Sequence, residues 1–229
     1  MPLVLWSHPF ASFCQKVLVA FYETGLRFEA RLVDFGDPAS ADAFRTLWPL
    51  AQMPVLVDDE RRLMLPESTI VIEHLHRLAP HAGLIPGDPD AALKVRLLDR
   101  LFDHYVQRPM QKIVTDRLRP SGQNDTHGVE QAKTQLLEAY KTAEPMLQSK
   151  IWAMGDDFTL ADCSAAPALF YANTVMPFGR TEQNLSAYLD RLMARPSFAR
   201  VLEEAQPYFA LFPMDNKPQI TRPGAPAER

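Results

Sequence analysis

Cysteine is scarce in this chain: 229 residues carry only Cys14 and Cys163. Two cysteines exclude a disulfide framework and lead us to expect a reducing, cytoplasmic compartment. No charged, cleavable leader precedes the first apolar run, and no apolar run approaches the roughly 18 residues a membrane span needs. Neither secretion nor a membrane anchor is expected. Clusters of lysine or arginine are missing too, and the net charge is -4. That balance gives no reason to expect nucleic acid and leaves small molecules or proteins as partners. His74 and His76 stand two apart on a predicted helix and do not share a face, so no metal site is expected. What remains is ordinary globular composition, 47% hydrophobic and 23% charged, in a chain long enough for one large or two small domains.

The most informative stretch runs from Leu3 to Gly25. Leu3-Val4-Leu5-Trp6 reads as a short buried strand, and His8 to Ser12 forms a polar elbow. Phe13, Val17 and Phe21 then recur every four residues, with Gly25 at the position of a helix C-cap. Ser12 followed by Gln15 is a capping-box pattern, which predicts a helix starting at Ser12. A strand turning directly into a helix aims free backbone N–H groups and the positive end of the helix dipole at the turn, and so makes a seat for an anion. Ser12 therefore has two readings, the ordinary helix cap and a hydroxyl presented to a bound anion.

Phe28-Glu29-Ala30-Arg31-Leu32 alternates apolar and charged residues, as an edge strand does. A strand, helix and strand of this length make a right-handed crossover with parallel pairing. Asp37-Pro38 opens a short helix reaching Trp48, and Leu50 to Val57, a turn at Asp58-Asp59-Glu60, and Arg62 to Leu65 read as a β-hairpin. Pro54 belongs at the mouth of the first hairpin strand, trans by base rate, or cis with the Met53 backbone turned outward. Pro66-Glu67-Ser68-Thr69 starts a helix with Val71, Leu75 and Leu78 as its buried stripe. Glu67 and Ser68 at that helix start suit capping, and equally suit gripping an amino acid by its ammonium and carboxylate.

Residues 81–90, rich in glycine and proline, mark a boundary after which only helical patterns follow. Leu93, Leu97, Leu101 and Tyr105 form an i, i+4 series, and Val129, Leu136, Tyr140, Met146 and Leu147 mark a second long bundle helix, after a polar loop from Arg119 to Gly128. Thr159-Leu160-Ala161-Asp162 is a capping motif, Pro167 falls inside the helix it starts, and Arg195-Pro196-Ser197-Phe198 restarts a final helix. The domains expected are 1–80, a linker 81–90, a helical domain 91–212 and a loose tail 213–229, polar and proline-rich from Asn216.

In this order, the elbow with Ser12, Gln52-Met53-Pro54-Val55-Leu56, Pro66-Glu67-Ser68, Thr159 to Asp162 and Arg195 to Phe198 resemble the cytosolic glutathione transferase family, of the bacterial type with a serine-class-like elbow, over about residues 1–210. The resemblance implies an α+β thioredoxin-like first domain (βαβαββα), an all-α helical-bundle second domain, and a homodimer. It implies glutathione as co-substrate and an electrophilic small molecule as its target. It also implies a cis Pro54, a Met53 backbone that pairs with the cysteinyl part of glutathione, and Glu67 and Ser68 on the γ-glutamyl group. Gln52 lies where a side chain reaches the glycyl end. Ser12 is the expected activator of the thiol, although Ala11 stands where several serine and cysteine classes keep theirs. Phe10, Tyr105, Arg108, Met110 and Tyr171 are candidates for the wall that receives the electrophile. Two alternatives are a non-catalytic glutathione-binding or regulatory module, which Ala11 favours, and a thiol transferase using Cys14. Cys14 occupies the second, less exposed position of a Cys-x-x-Cys pattern whose first cysteine is absent, which disfavours reductase chemistry. Cys163 reads as a small buried hydrophobe.

Overall fold

Strand β1 (Leu3–Ser7) lies inside a four-stranded sheet, parallel to β2 (Phe28–Leu32) and antiparallel to β3 (Val55–Asp58), which pairs antiparallel with β4 (Leu63–Pro66). The order is β2-β1-β3-β4 in the computed structural model, which describes residues 3–220. An inner strand covered on both faces needs apolar residues on both, hence the unbroken Leu3-Val4-Leu5 run. The alternating β2 is the edge strand expected.

Helix α1 (Ser12–Thr24) makes the β1-to-β2 crossover and ends at Gly25, whose φ of 68° is the left-handed conformation glycine adopts without strain. Its start differs from the capping-box expectation. Ala11 is the cap residue and Ser12 the first helical one, with no side-chain cap bond. Gln15, fully buried, turns inward instead and donates to the Pro9 carbonyl at 2.9 Å and the Tyr171 hydroxyl at 2.8 Å. A buried amide satisfies the elbow's own carbonyl there, which a reach back to the cap N–H would leave bare. Asp37 caps α2 (Pro38–Leu47) through Ala39 N–H, as its sequence predicts. Asp58 is not a turn residue. It closes β3, buried, with its Oδ2 2.8 Å from Nε2 of His74 on α3 (Ser68–Leu78).

The remaining helices are α4 (Pro89–Leu101), α5 (Arg108–Asp116), α6 (Thr126–Met146), α7 (Leu160–Val175), α8 (Gln183–Ala194) and α9 (Pro196–Ala205). A π-helical turn, Phe102–Gln107, joins α4 to α5. Nearly every residue of α7 is buried, so it is the axis of the bundle. Thr159 and Asp162 form the expected capping box, and the Asp162 carboxylate also accepts from Ala153 N–H and the Tyr188 hydroxyl. Polar groups buried this deeply persist because each has a partner.

Three expectations change. Leu93 and Leu97 are 66% and 63% exposed and Tyr105 64%, whereas Ala92, Val95, Asp99, Phe102 and Val106 are buried. The inward face of α4 contains a carboxylate, so a search for apolar spacing selects the opposite face. The loop expected from Arg119 to Gly128 is shorter, because Asp125 caps α6 at Gly128 N–H and is itself tied by its own N–H to Asp116 Oδ1 at 2.8 Å. Met214 and Ile220, in the stretch expected to be loose, lie against the core; 221–229 fall outside the described residues. No helix among the described residues is long and apolar enough to cross a membrane.

Candidate functional site

The elbow between β1 and α1 is held by its own backbone and by α7. Ala11 N–H donates to the His8 carbonyl at 3.0 Å, Phe10 N–H to His8 Nδ1 at 3.1 Å, and the Tyr171 hydroxyl to the Phe10 carbonyl at 3.0 Å. Burial lowers the His8 pKa, against the nearby Asp34 charge, which favours a neutral ring that accepts from Phe10 N–H. Ser12 leaves this elbow with its hydroxyl donating to Gln107 Oε1 at 2.8 Å.

Two cavities adjoin beside the elbow, and Ser12 lines one of them. One, of about 270 Å³, is mostly apolar and is lined by Phe10, Ser12, Met53, Gln107, Met110, Tyr171 and Phe212 among others. The other, of about 540 Å³, is lined by Gln52, Met53, Pro54, Glu67 and Ser68 from the sheet side and by Arg100, Asp103, His104 and Arg108 from the helices. Phe13, Met53 and Gln111 border both. The fold thus gathers Gln52, Met53, Pro54, Glu67 and Ser68 around one chamber and sets Ser12 at the next. A larger cavity of about 680 Å³ at Leu26, Phe28 and Arg61 touches none of them.

Local geometry makes the polar chamber receptive. The Met53-Pro54 bond is cis, and Glu67 has a φ of 71°, a conformation that non-glycine residues rarely adopt. Ser68 is the first residue of α3, buried, so the first N–H groups of that helix face a site already lined by a hydroxyl and a carboxylate. These features fit a zwitterionic amino-acid end: carboxylate on the hydroxyl and helix N–H groups, ammonium on Glu67.

Arg100 and Asp103, on the chamber's helix side, belong to a charged cluster that runs inward and that the sequence does not announce. Lys16 Nζ, only 1% exposed, sits 2.6 Å from Asp99 Oδ1, 2.7 Å from Asp103 Oδ2 and 2.9 Å from Thr69 Oγ1. Arg100 reaches both carboxylates at 2.6 and 2.7 Å and also bonds Thr69, while Ser164 donates to Asp99. Burial pushes the Asp99 carboxyl up, but Lys16 and its hydrogen bonds outweigh this and hold it below its usual value. Asp103 ends higher than usual, chiefly from burial. Burial and the Arg108 and Arg100 charges lower the His104 pKa, which favours the neutral ring. Two cations against two carboxylates leave the cluster neutral, and it ties α1 and α3 to α4 and α7. The only hint in sequence is the run Asp99-Arg100 and Asp103-His104 on a helix also rich in leucine, and nothing in it points to Lys16.

Of the wall candidates, Phe10, Met110 and Tyr171 line the apolar cavity and Arg108 the polar one. Tyr105 does not, because it shares the outward face with Leu97. Cys14 is fully buried one turn into α1, and burial pushes its thiol up to about 12, against a bond from His8. Almost no thiolate exists there at neutral pH. Cys163 is equally buried and is raised as well.

A sequence model of the glutathione S-transferase N-terminal domain matches residues 5–83, and one of the glutathione S-transferase C-terminal domain matches residues 94–196. The chain belongs to the glutathione S-transferase family. A stringent starvation protein A homolog of Coxiella burnetii is 30% identical over 89% of this chain and 93% of its own. A probable maleylacetoacetate isomerase of Caenorhabditis elegans is 27% identical over 74% of this chain and 78% of its own. Among solved structures, a glutathione S-transferase of Methylobacillus flagellatus KT with GSH bound has a TM-score of 0.79 and 25% identity, covering 87% of this chain and 98% of that one. The four-stranded sheet with its helices followed by a helical bundle is the glutathione S-transferase fold.

Proposed function

We propose that this glutathione S-transferase family member binds glutathione and ionises its thiol for attack on an electrophilic small molecule. The observation that carries the reading is the junction of the two chambers. A polar cavity with Glu67 and Ser68 adjoins an apolar one, and Ser12 lies where a thiol held against Met53 would meet an apolar partner. In this reading residues 1–80 supply the glutathione grip and 91–212 most of the electrophile wall. Glu67 takes the ammonium, Ser68 and the α3 N–H groups take the γ-glutamyl carboxylate, the Met53 backbone pairs with the cysteinyl unit, Pro54 shapes that edge, and Gln52 reaches the glycyl end.

The required shift is within reach of these groups. A free thiol titrates near 8.5, so a few per cent is nucleophilic at pH 7. A helix N-terminus offers an anion about 0.3 to 2 kcal/mol, and a hydroxyl bond to charged sulfur about 1.5 to 3 kcal/mol. Together these lower the thiol pKa by roughly one to three, which ionises from about a quarter to nearly all of it at pH 7. Ser12 donates a hydrogen bond to the thiolate, while the thiol proton leaves to water.

The second reading is a glutathione-binding module without catalysis, supported by Ala11 at the elbow and by the stringent starvation protein A homologs among the relatives. A maleylacetoacetate isomerase among the relatives keeps isomerisation beside conjugation and dehalogenation as the reaction. Calorimetric titration with glutathione, paired with a pH scan of the bound thiol's ultraviolet thiolate absorbance, separates the readings. We expect binding with a thiol pKa well below about 8.5. Binding with an unshifted thiol supports the non-catalytic module, and no binding overturns both.

We also propose a homodimer. Ile70 on α3 and Leu93 and Leu97 on α4 are 49%, 66% and 63% exposed, around a 2.7 Å Arg96–Glu73 ion pair joining the two helices. An exposed apolar strip with a polar centre is what a second copy would cover. Light scattering at micromolar concentration should give twice the 25.9 kDa chain mass, and Leu97→Glu should return the single-chain mass. A wild-type protein of single-chain mass would refute the dimer. The free, buried thiols of Cys14 and Cys163 suit a reducing compartment, and we place the protein in the cytoplasm.

A further inference from the structure

A serine hydroxyl has one proton to donate. In this structure that proton goes to Gln107 Oε1 at 2.8 Å, and Gln107 Nε2 lies 3.4 Å from Gln111 Oε1. The polarity therefore runs from Ser12 through Gln107 to Gln111, and in that state Ser12 has nothing left to give an anion. A thiolate at the chamber junction needs the same proton.

We propose that Gln107 is a positioning residue that sets the direction of the Ser12 hydroxyl. The inference rests on Ser12 as the group that meets the thiolate. A half-turn of an amide exchanges its oxygen and nitrogen at almost unchanged positions, so each orientation is chosen by its hydrogen-bond network. When both amides turn, Gln111 Nε2 donates to Gln107 Oε1 and Gln107 Nε2 donates to Ser12 Oγ. The Ser12 proton is then directed at sulfur, and every group in the chain keeps a partner. Gln107 is only 2% exposed, so its amide depends on these partners, while Gln111 is exposed and its amide is free to turn and follow. The unliganded site holds the hydroxyl in reserve, and the arriving anion reverses the chain.

The backbone explains why a residue 95 positions away in sequence does this. Gln107 ends the π-helical turn Phe102–Gln107, whose extra residue re-aims the side chains that follow α4. Tyr105 in the same turn faces out while Val106 and Gln107 face in. The donor–acceptor character of Gln107 is thus delivered to the floor of the apolar cavity beside Met110 and Gln111.

The test uses Gln107→Glu, which can only accept from Ser12, and Gln107→Met, which keeps the length without polar atoms. Each is made in the wild type and in Ser12→Ala, with the bound glutathione thiol titrated by ultraviolet absorbance and glutathione affinity by calorimetry. In the wild-type background we expect Gln107→Glu to raise the thiol pKa by about one to two, as large as the Ser12→Ala effect, and Gln107→Met to raise it by less. In the Ser12→Ala background Gln107→Met should change nothing, because no hydroxyl remains to be oriented. A Gln107→Met variant that binds glutathione with the wild-type thiol pKa overturns the proposal. So do increases of equal size in both backgrounds, which would mean that Gln107 acts on the sulfur directly. If Ser12→Ala alone leaves the pKa unchanged, the Ser12 assignment fails first, and that result is read without any change at Gln107.

Discussion

Replacing Ser12 with alanine lowers turnover by about 10- to 150-fold, the rate equivalent of one hydrogen bond to a charged atom at about 1.5 to 3 kcal/mol. Glutathione should still bind, because Glu67 and Ser68 line the neighbouring chamber and do not depend on the hydroxyl. The bound thiol's pKa should rise by about one to two, so the deficit shrinks as the assay pH is raised and solvent ionises the thiol unaided. That pH dependence separates lost activation from a damaged fold, which would lower activity at every pH. The measurement is a pH profile of kcat/KM with an electron-poor aryl halide, alongside calorimetric glutathione binding. Unchanged turnover would remove Ser12 from the mechanism and leave the N-terminal N–H groups of α1 as the activators.

The second large effect concerns stability. Lys16→Met leaves Asp99 and Asp103, both buried, with Arg100 as their remaining cation, and removing one partner of a buried ion cluster costs about 3 to 5 kcal/mol. In a chain of this size that is a fall in midpoint temperature of roughly 6 to 20 °C. The sign of its pH dependence follows from Asp99. In the wild type its folded pKa is held below the ordinary 3.8, so its contribution is present above that pH and is lost as pH falls through the lowered value. Without Lys16, burial dominates and raises the carboxyl, so the variant gains relative stability as the acid is protonated. The gap between the two proteins should therefore be widest near pH 7 and narrow toward pH 4. Urea unfolding at both pH values measures it. A loss under about 1 kcal/mol that ignores pH would show that the cluster's attraction merely offsets its desolvation.

Both effects depend on features with different visibility in the sequence. Ser12 is legible as the residue at a strand-to-helix elbow, and Glu67 and Ser68 as the start of a helix after a hairpin. What each of them meets is not legible. The Ser12 partner is Gln107, and a glutamine on a helix carries no mark that says which distant hydroxyl it will find. Lys16 and Asp99 are 83 positions apart, and either one alone reads as a solvated charge.

Elements governed by neighbouring residues were determined by the sequence itself. Gly25 ends α1 because the chain needs a left-handed residue there, Asp37 with Pro38 starts α2, and Thr159 with Asp162 starts α7. Each depends on backbone groups within a few positions, so local pattern suffices to find it. Only the tertiary structure decided which face of α4 turns inward, where Gln15 bonds, and which amide holds the Ser12 proton. Those choices depend on polar groups that are stable in the interior only with partners brought from elsewhere in the chain. Leu93 and Leu97 lie on the outer face because the inner face of α4 is the one that brings Asp99 to Lys16.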